Sequence, residues 1–130
     1  MVSGQVPATP AVTLPHLSAA LGRETWLKLE CLSPIRSFKY RGALCALRAI
    51  KSSGAAGVVT VSTGNHGQGV AFAGRRLGLP VTVVAPRFSE PSKLAAIRAL
   101  GGEVELRGES VTEAEAAGSE IAAARDLFYL

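Results

Sequence analysis

Long apolar runs are missing from this 130-residue chain, and its first residues lack the charged-then-apolar layout of a signal peptide. A bilayer core takes about 20 consecutive apolar residues to cross, so no membrane contact is expected and the cytoplasm is the expected compartment. Aromatic residues make up only 5% and there is no basic run, which argues against a nucleic-acid surface. The 14 basic and 10 acidic residues give +4, but they are scattered, as on a solvated surface. Cysteine is scarce too: Cys31 and Cys45 have no metal-type spacing, so two buried, reduced thiols and no metal site are expected. His16 has no ligand-like neighbours and reads as a surface residue. The glycines at 64, 67 and 69 do not follow the dinucleotide fingerprint, and no Gly-Lys-Ser/Thr follows, which excludes a P-loop.

The composition that remains, 48% hydrophobic and 18% charged, is that of a globular domain long enough to bury a core. Residues 1–8 read as a loose arm and 9–15 as extended chain, because Pro10 and Pro15 disfavour helix just before them. A short helix over 16–21 is closed by Gly22, and 25–30 alternates as a strand. A second helix, carrying Ala43, Leu44, Ala46, Leu47 and Ile50 at helical spacing, ends near Lys51 with Gly54 as a left-handed stop. From Gly57 the pattern becomes regular. Strands are expected at 58–61, 81–85, 103–106 and from 127. Helices fill the gaps at about 67–77, 91–100 and 110–125, the last opened by a Ser110/Glu113 capping box. Strand starts 23, 22 and 24 residues apart are βαβ units. The fold class is therefore α/β, an open parallel sheet with right-handed crossovers and helices on both faces. Residues 1–56 form an N-terminal segment and 57–130 the parallel-sheet domain.

Two stretches carry chemistry. Ser37-Phe38-Lys39-Tyr40-Arg41-Gly42-Ala43 puts a lysine in the first turn of a helix, where unpaired N–H groups make the potential positive and a cation is misplaced. That potential favours the uncharged amine a Schiff-base nucleophile needs; the alternative is a surface lysine extended into solvent. Ser62-Thr63-Gly64-Asn65-His66-Gly67-Gln68-Gly69 follows a strand and opens a helix, at the carboxyl end of the sheet where ligands collect. Its small residues and free N–H groups suit a phosphate or a carboxylate equally. The alternative is a turn that is glycine-rich because it packs tightly.

In order and spacing, these two stretches resemble the lysine motif and the substrate loop of fold-type II pyridoxal-phosphate enzymes. That superfamily holds serine/threonine dehydratases, serine racemases, threonine synthases and the tryptophan synthase β subunit. Thr9-Pro10 and Leu27-Lys28-Leu29-Glu30 sit where dehydratases carry similar pieces, so the likeness runs from about Thr9 to Leu130.

The resemblance implies a pyridoxal 5'-phosphate-dependent ammonia-lyase that converts L-threonine or L-serine to a 2-oxo acid and ammonia. It implies that Lys39 binds the cofactor as an imine and takes the α-proton, that Phe38 lies against the cofactor or its pocket, and that Asn65 hydrogen-bonds the ring's phenolic oxygen. Ser62, Thr63, Gly64 and His66 would offer donors to the substrate carboxylate, although His66 also reads as an ordinary helix-start residue. Arg41 would tie the helix start to a neighbouring loop. A small amino-acid substrate and a homodimer of the full-length protein are implied as well.

Members of the family are considerably longer. Their glycine-rich phosphate cup and the residue facing the pyridine nitrogen fall beyond the equivalent of Leu130, so the isolated chain is expected to be inactive. An amino-acid racemase of the same family, and a non-catalytic α/β module for a small carboxylate or phosphate, are the alternatives.

Overall fold

The computed structural model describes residues 6–130. The part of the expected N-terminal arm over 1–5 lies outside the described residues; Val6 packs on the core. Strand β1 (Ala11–Thr13) pairs antiparallel with β2 (Trp26–Lys28), and helix α1 (Pro15–Leu21) between them is closed by Gly22 at φ +63°. The expected strand over 25–30 is cut short: after Leu29 donates to the Pro10 carbonyl, Glu30–Leu32 tightens into a single 3-10 turn.

Helix α2 (Lys39–Ser52) follows, then strand β3 (Val58–Val61), α3 (Asn65–Leu77), β4 (Val81–Ala85), α4 (Pro91–Ala99), β5 (Glu103–Leu106), α5 (Val111–Ala124) and β6 (Phe128–Tyr129). The last four strands form a parallel sheet in the order β5-β4-β3-β6, as the βαβ spacing predicts. Strand side chains alternate between faces. Val58, Val81 and Val83 join a large cluster with Tyr40, Leu44, Leu47, Val70 and Ile97 from α2, α3 and α4. Val59 and Val84 meet Ala114 and Ala122 of α5 in a smaller cluster on the other face. The chain winds outward from β3 to β5 and then returns to the far side of β3. One crossover hand requires the returning helix to lie on the opposite face, where α5 is found.

Helix α2 buries Tyr40, Ala43, Leu44, Leu47 and Ile50, a stripe of helical period. Cys45 falls off that stripe and Cys31 sits in the 3-10 turn. Both thiols are free and exposed, which corrects the expectation of buried cysteines. His16 is exposed, as expected. Helix α5 is capped by Ser110 Oγ, which accepts from the Glu113 N–H at 3.1 Å. The Glu113 carboxylate reaches back to the N–H of Glu109 and not to that of Ser110. Among the described residues no helix is long and apolar enough to cross a membrane, and no cluster of three or more metal-ligating side chains occurs.

Candidate active site

The sheet order reverses at β3, where one connection leaves over the α3 face and β6 arrives from the α5 face. The crevice beyond the carboxyl ends of two such strands is where open α/β sheets take ligands. Lys39 is brought there by a built turn. Ser33 is buried, and its hydroxyl accepts from the Ser37 N–H and donates to the Ser37 carbonyl, both at 2.9 Å. Within this loop Arg36 takes a left-handed φ of +55°. Ser37 Oγ then accepts from the Lys39 N–H at 3.4 Å, at the start of α2.

Two residues on, Arg41 closes the arrangement. It holds Glu30 through Nε at 2.9 Å and Nη2 at 3.0 Å, and also reaches Thr9 and the Pro7 carbonyl. The guanidinium, and then the Thr9 hydroxyl, hold the Glu30 carboxyl below the usual range. This is the loop-tying role expected of Arg41. Between them, Tyr40 is fully buried, edge-on to Phe72 at 5.7 Å, and burial pushes its hydroxyl up.

The four lysines differ in their surroundings. The Lys28 amine donates to the Thr9 carbonyl, the Lys51 amine to the Leu77 carbonyl, and Lys93 pairs with Glu90 at 3.6 Å. The Lys39 amine has no oxygen partner among the described residues and lies 5.4 Å from the centre of the Phe38 ring. It faces a cavity of about 350 Å³ whose lining includes Phe38, Arg41, Gly42, His66 and Leu130.

Phe38, Lys39 and His66 therefore share one cavity. Ser62, Thr63, Gly64 and Asn65 do not line it; they form the loop that leads into α3 beside it. Ser62 Oγ accepts from the N–H of Gly64 at 3.1 Å and of Gly67 at 2.9 Å, so it caps α3 from inside the turn. That is why the helix begins at Asn65, two residues before the expected start. Among the described residues the Ser62 proton has only the Gly64 carbonyl, at 3.5 Å. Thr63 and Asn65 are exposed. The Asn65 and His66 N–H groups, the first two of α3, lie beyond the reach of any intrahelical carbonyl and remain donors for an anion.

The glycines divide by role. A side chain at Gly67 would meet Val83, Ile97 and Ser62 at 3.0–3.1 Å, and one at Gly69 would meet the backbone of Lys39 and Tyr40 at 3.0–3.2 Å. These two serve packing, and Gly69 lets α3 approach the start of α2. A side chain at Gly64 would meet nothing within 4 Å.

His66 is half-buried, and burial, followed by the charge of Lys39, lowers its pKa below the ordinary histidine value. Its Nε2 lies 3.0 Å from the Thr60 hydroxyl. Sequence reasoning missed Thr60, Ser33 and the Glu30 partnership. Thr60 could have been found as the single polar residue in a strand expected to be buried, since such a group needs a partner.

A family model described as "Pyridoxal-phosphate dependent enzyme" matches residues 2–130. L-threonine dehydratase of Haemophilus influenzae is 37% identical over 123 residues, covering 94% of this chain and 24% of that protein. The solved threonine deaminase isoform 2 of Solanum lycopersicum superposes with a TM-score of 0.88 at 36% identity, over 96% of this chain and 35% of that one. A solved pyridoxal 5'-phosphate-dependent aspartate racemase gives 0.88 at 33% identity, over 99% and 41%. The chain belongs to the pyridoxal-phosphate-dependent enzymes of fold type II. It spans about a quarter of the length of the first curated relatives it matches.

The residues present fit the cofactor: a lysine amine free of oxygen partners among the described residues, an aromatic ring beside it, and a cavity within the size range of small-molecule sites.

Proposed function

We propose that the protein carrying this chain is a pyridoxal-phosphate-dependent ammonia-lyase that converts L-threonine or L-serine to a 2-oxo acid and ammonia. The observation that carries the reading is the Lys39 amine, which lacks an oxygen partner among the described residues and faces a cavity shared with Phe38 and His66. The names of the similar proteins, threonine dehydratase and threonine deaminase among them, support the substrate class.

When bound, the cofactor supplies an electron sink for the carbanion left by loss of the α-proton. Lys39 Nζ holds the cofactor and then takes and holds that proton. Phe38 covers one side of the cofactor's pocket. Asn65, exposed at the first position of α3, donates to the phenolic oxygen of the ring. The substrate carboxylate is bound by the Ser62 and Thr63 hydroxyls and by the loop backbone from Gly64 to His66, where the positive end of α3 favours an anion. The Gly64 N–H is already shared with Ser62 Oγ, so the Asn65 and His66 N–H groups carry most of that task.

Arg41 lines the cavity but is engaged by Glu30, so groups outside these 130 residues are proposed to hold the phosphate. The isolated chain is accordingly proposed to bind the cofactor weakly and to lack turnover. A homodimer, a cytoplasmic location, and the division into an N-terminal segment (1–56) and a sheet domain (57–130) belong to the same proposal.

Borohydride reduction of the cofactor-loaded, full-length protein, followed by peptide mapping, tests the lysine. Label is expected on Lys39, and label on Lys28, Lys51 or Lys93 would sink the assignment. Racemisation is the second reading, favoured by the likeness to aspartate racemase and by the exposed Thr63 hydroxyl. Thr63 is β-branched and restricted in rotamer, so elimination is expected to dominate. Incubation with L-serine should give pyruvate well ahead of D-serine; equal rates would make racemisation the better reading.

A further inference from the structure

Thr60 is the polar residue of β3, and it is fully buried. Its hydroxyl lies 3.0 Å from the carbonyl oxygen of Leu130 and 3.0 Å from Nε2 of His66. A threonine hydroxyl has one proton to give, and a carbonyl oxygen can only accept. The proton therefore goes to Leu130, and toward His66 the hydroxyl can only accept. A neutral imidazole in that contact must carry its proton on Nε2, which leaves Nδ1 as a bare acceptor. Burial and the facing charge both keep the ring neutral. The charged groups that α2 brings to this cavity are Lys39 and Arg41; Thr60 of β3 and Leu130 after β6 bring uncharged side chains.

The same cavity holds a donor in the complementary condition. The Lys39 amine has no oxygen acceptor among the described residues, whereas Arg41 is taken up by Glu30. We propose that His66 is a positioning residue, locked as the Nε2–H tautomer by Thr60, so that Nδ1 is kept as a bare acceptor for the Lys39 ammonium, which reaches it by rotation of its flexible stem across the shared cavity. With the lysine so turned, the series Lys39, His66, Thr60, Leu130 runs from the cavity into the sheet, each member donating to the next, and its last two links are in place in this structure. The imidazole has no N–H left for a substrate carboxylate, so His66 serves an anion through its backbone N–H alone. This deepens the active-site reading at the same residues, but the tautomer can be read without cofactor or turnover.

The test is a long-range ¹H–¹⁵N spectrum of the imidazole nitrogens in the full-length, cofactor-free protein near neutral pH. His16 is the other histidine, and His16→Gln assigns the signals. The expected wild-type pattern is a protonated Nε2 and an unprotonated Nδ1 on His66. Thr60→Val, which removes the acceptor and keeps the shape, should lower the Nε2–H to Nδ1–H ratio at least about tenfold, the equivalent of about 1.4 kcal/mol. Thr60→Ser should retain the wild-type ratio, and it decides the question if Thr60→Val does not fold. Lys39→Met should move the Nδ1 resonance and raise the titration midpoint of His66.

An Nδ1–H tautomer or an imidazolium in the wild type, or an unchanged ratio in Thr60→Val, would overturn the lock. An unmoved Nδ1 resonance in Lys39→Met would overturn the contact with lysine. Failure of the lyase assay with the predicted spectra intact would discard the reaction and leave the positioning role standing.

Discussion

Gly69→Ala is the substitution that most directly separates the packing of α3 from its chemistry. An added Cβ would lie 3.0 Å from the Lys39 carbonyl carbon, 3.1 Å from the Tyr40 nitrogen and 3.2 Å from the Lys39 oxygen. All three are backbone atoms and cannot rotate away. Carbon atoms settle at about 3.5–4.0 Å, so the two helices must part by roughly half an ångström at the residue that presents the amine. Overpacking of this kind costs about 1–3 kcal/mol, and the helix preference of alanine over glycine returns about 0.8–1.0 kcal/mol. The net expectation is a loss of about 1 kcal/mol, or a fall of about 3–5 °C in Tm for a domain of this size. Gly42→Ala is the control: it lies in α2, the other helix of the pair, but its Cβ would meet nothing within 4 Å. It should gain up to about 1 kcal/mol from propensity alone. Thermal unfolding of both variants, with the yield of borohydride label on Lys39 as a second readout, tests the argument. If Gly69→Ala raised the Tm as Gly42→Ala does and left the labelling intact, the close approach of the helices would not be what positions Lys39.

Gly74→Ala should be worse than Gly69→Ala, because its Cβ would fall 2.3 Å from Val81 Cγ2 and 2.7 Å from the Leu79 carbonyl oxygen. A loss of at least about 2–3 kcal/mol in denaturant unfolding is expected. Ser33→Ala strips both hydrogen bonds from Ser37 in a buried turn; it should cost about 2–3 kcal/mol and lower the labelling of Lys39 more than that of a surface lysine. The pKa of His66 is lowered on folding, so below its unfolded value, near 6.5, the unfolded chain binds a proton that the folded chain refuses. Stability should therefore fall as the pH drops from 6.5 toward the folded value, and His66→Gln should flatten that limb of the unfolding curve.

Two central strands were legible as runs of β-branched residues preceded by Gly57 and Pro80, and the third as a polar/apolar alternation after Gly101-Gly102. Val58–Val61, Val81–Ala85 and Glu103–Leu106 fall where the pattern puts them. Lys39 stood out because its charge contradicts its place on the helix. Other features were hidden because they depend on contacts between distant parts of the chain. The Ser62 hydroxyl starts α3 early by taking over the capping of Gly67, which helix periodicity does not register. The Thr60–Leu130 contact joins residues 70 apart in sequence, and spacing carries no trace of it. Cys45 illustrates the converse: its residue type suggests burial, but the register of α2 turns it outward.

The two faces of the sheet are covered unequally, and this has a bearing on how the molecule opens. Local opening follows the amount of buried apolar contact holding each element. Helix α5 rests on the small cluster of Val59, Val84, Ala114 and Ala122, whereas α2 and α3 share the large one with Tyr40, Leu44, Leu47 and Val70. Amide hydrogens of α5 and of the two-residue β6 should therefore exchange with solvent deuterium well before those in the middle of α2 and α3. Fluctuations that bare the far face of the sheet would leave the helix pair that carries Lys39 and His66 closed.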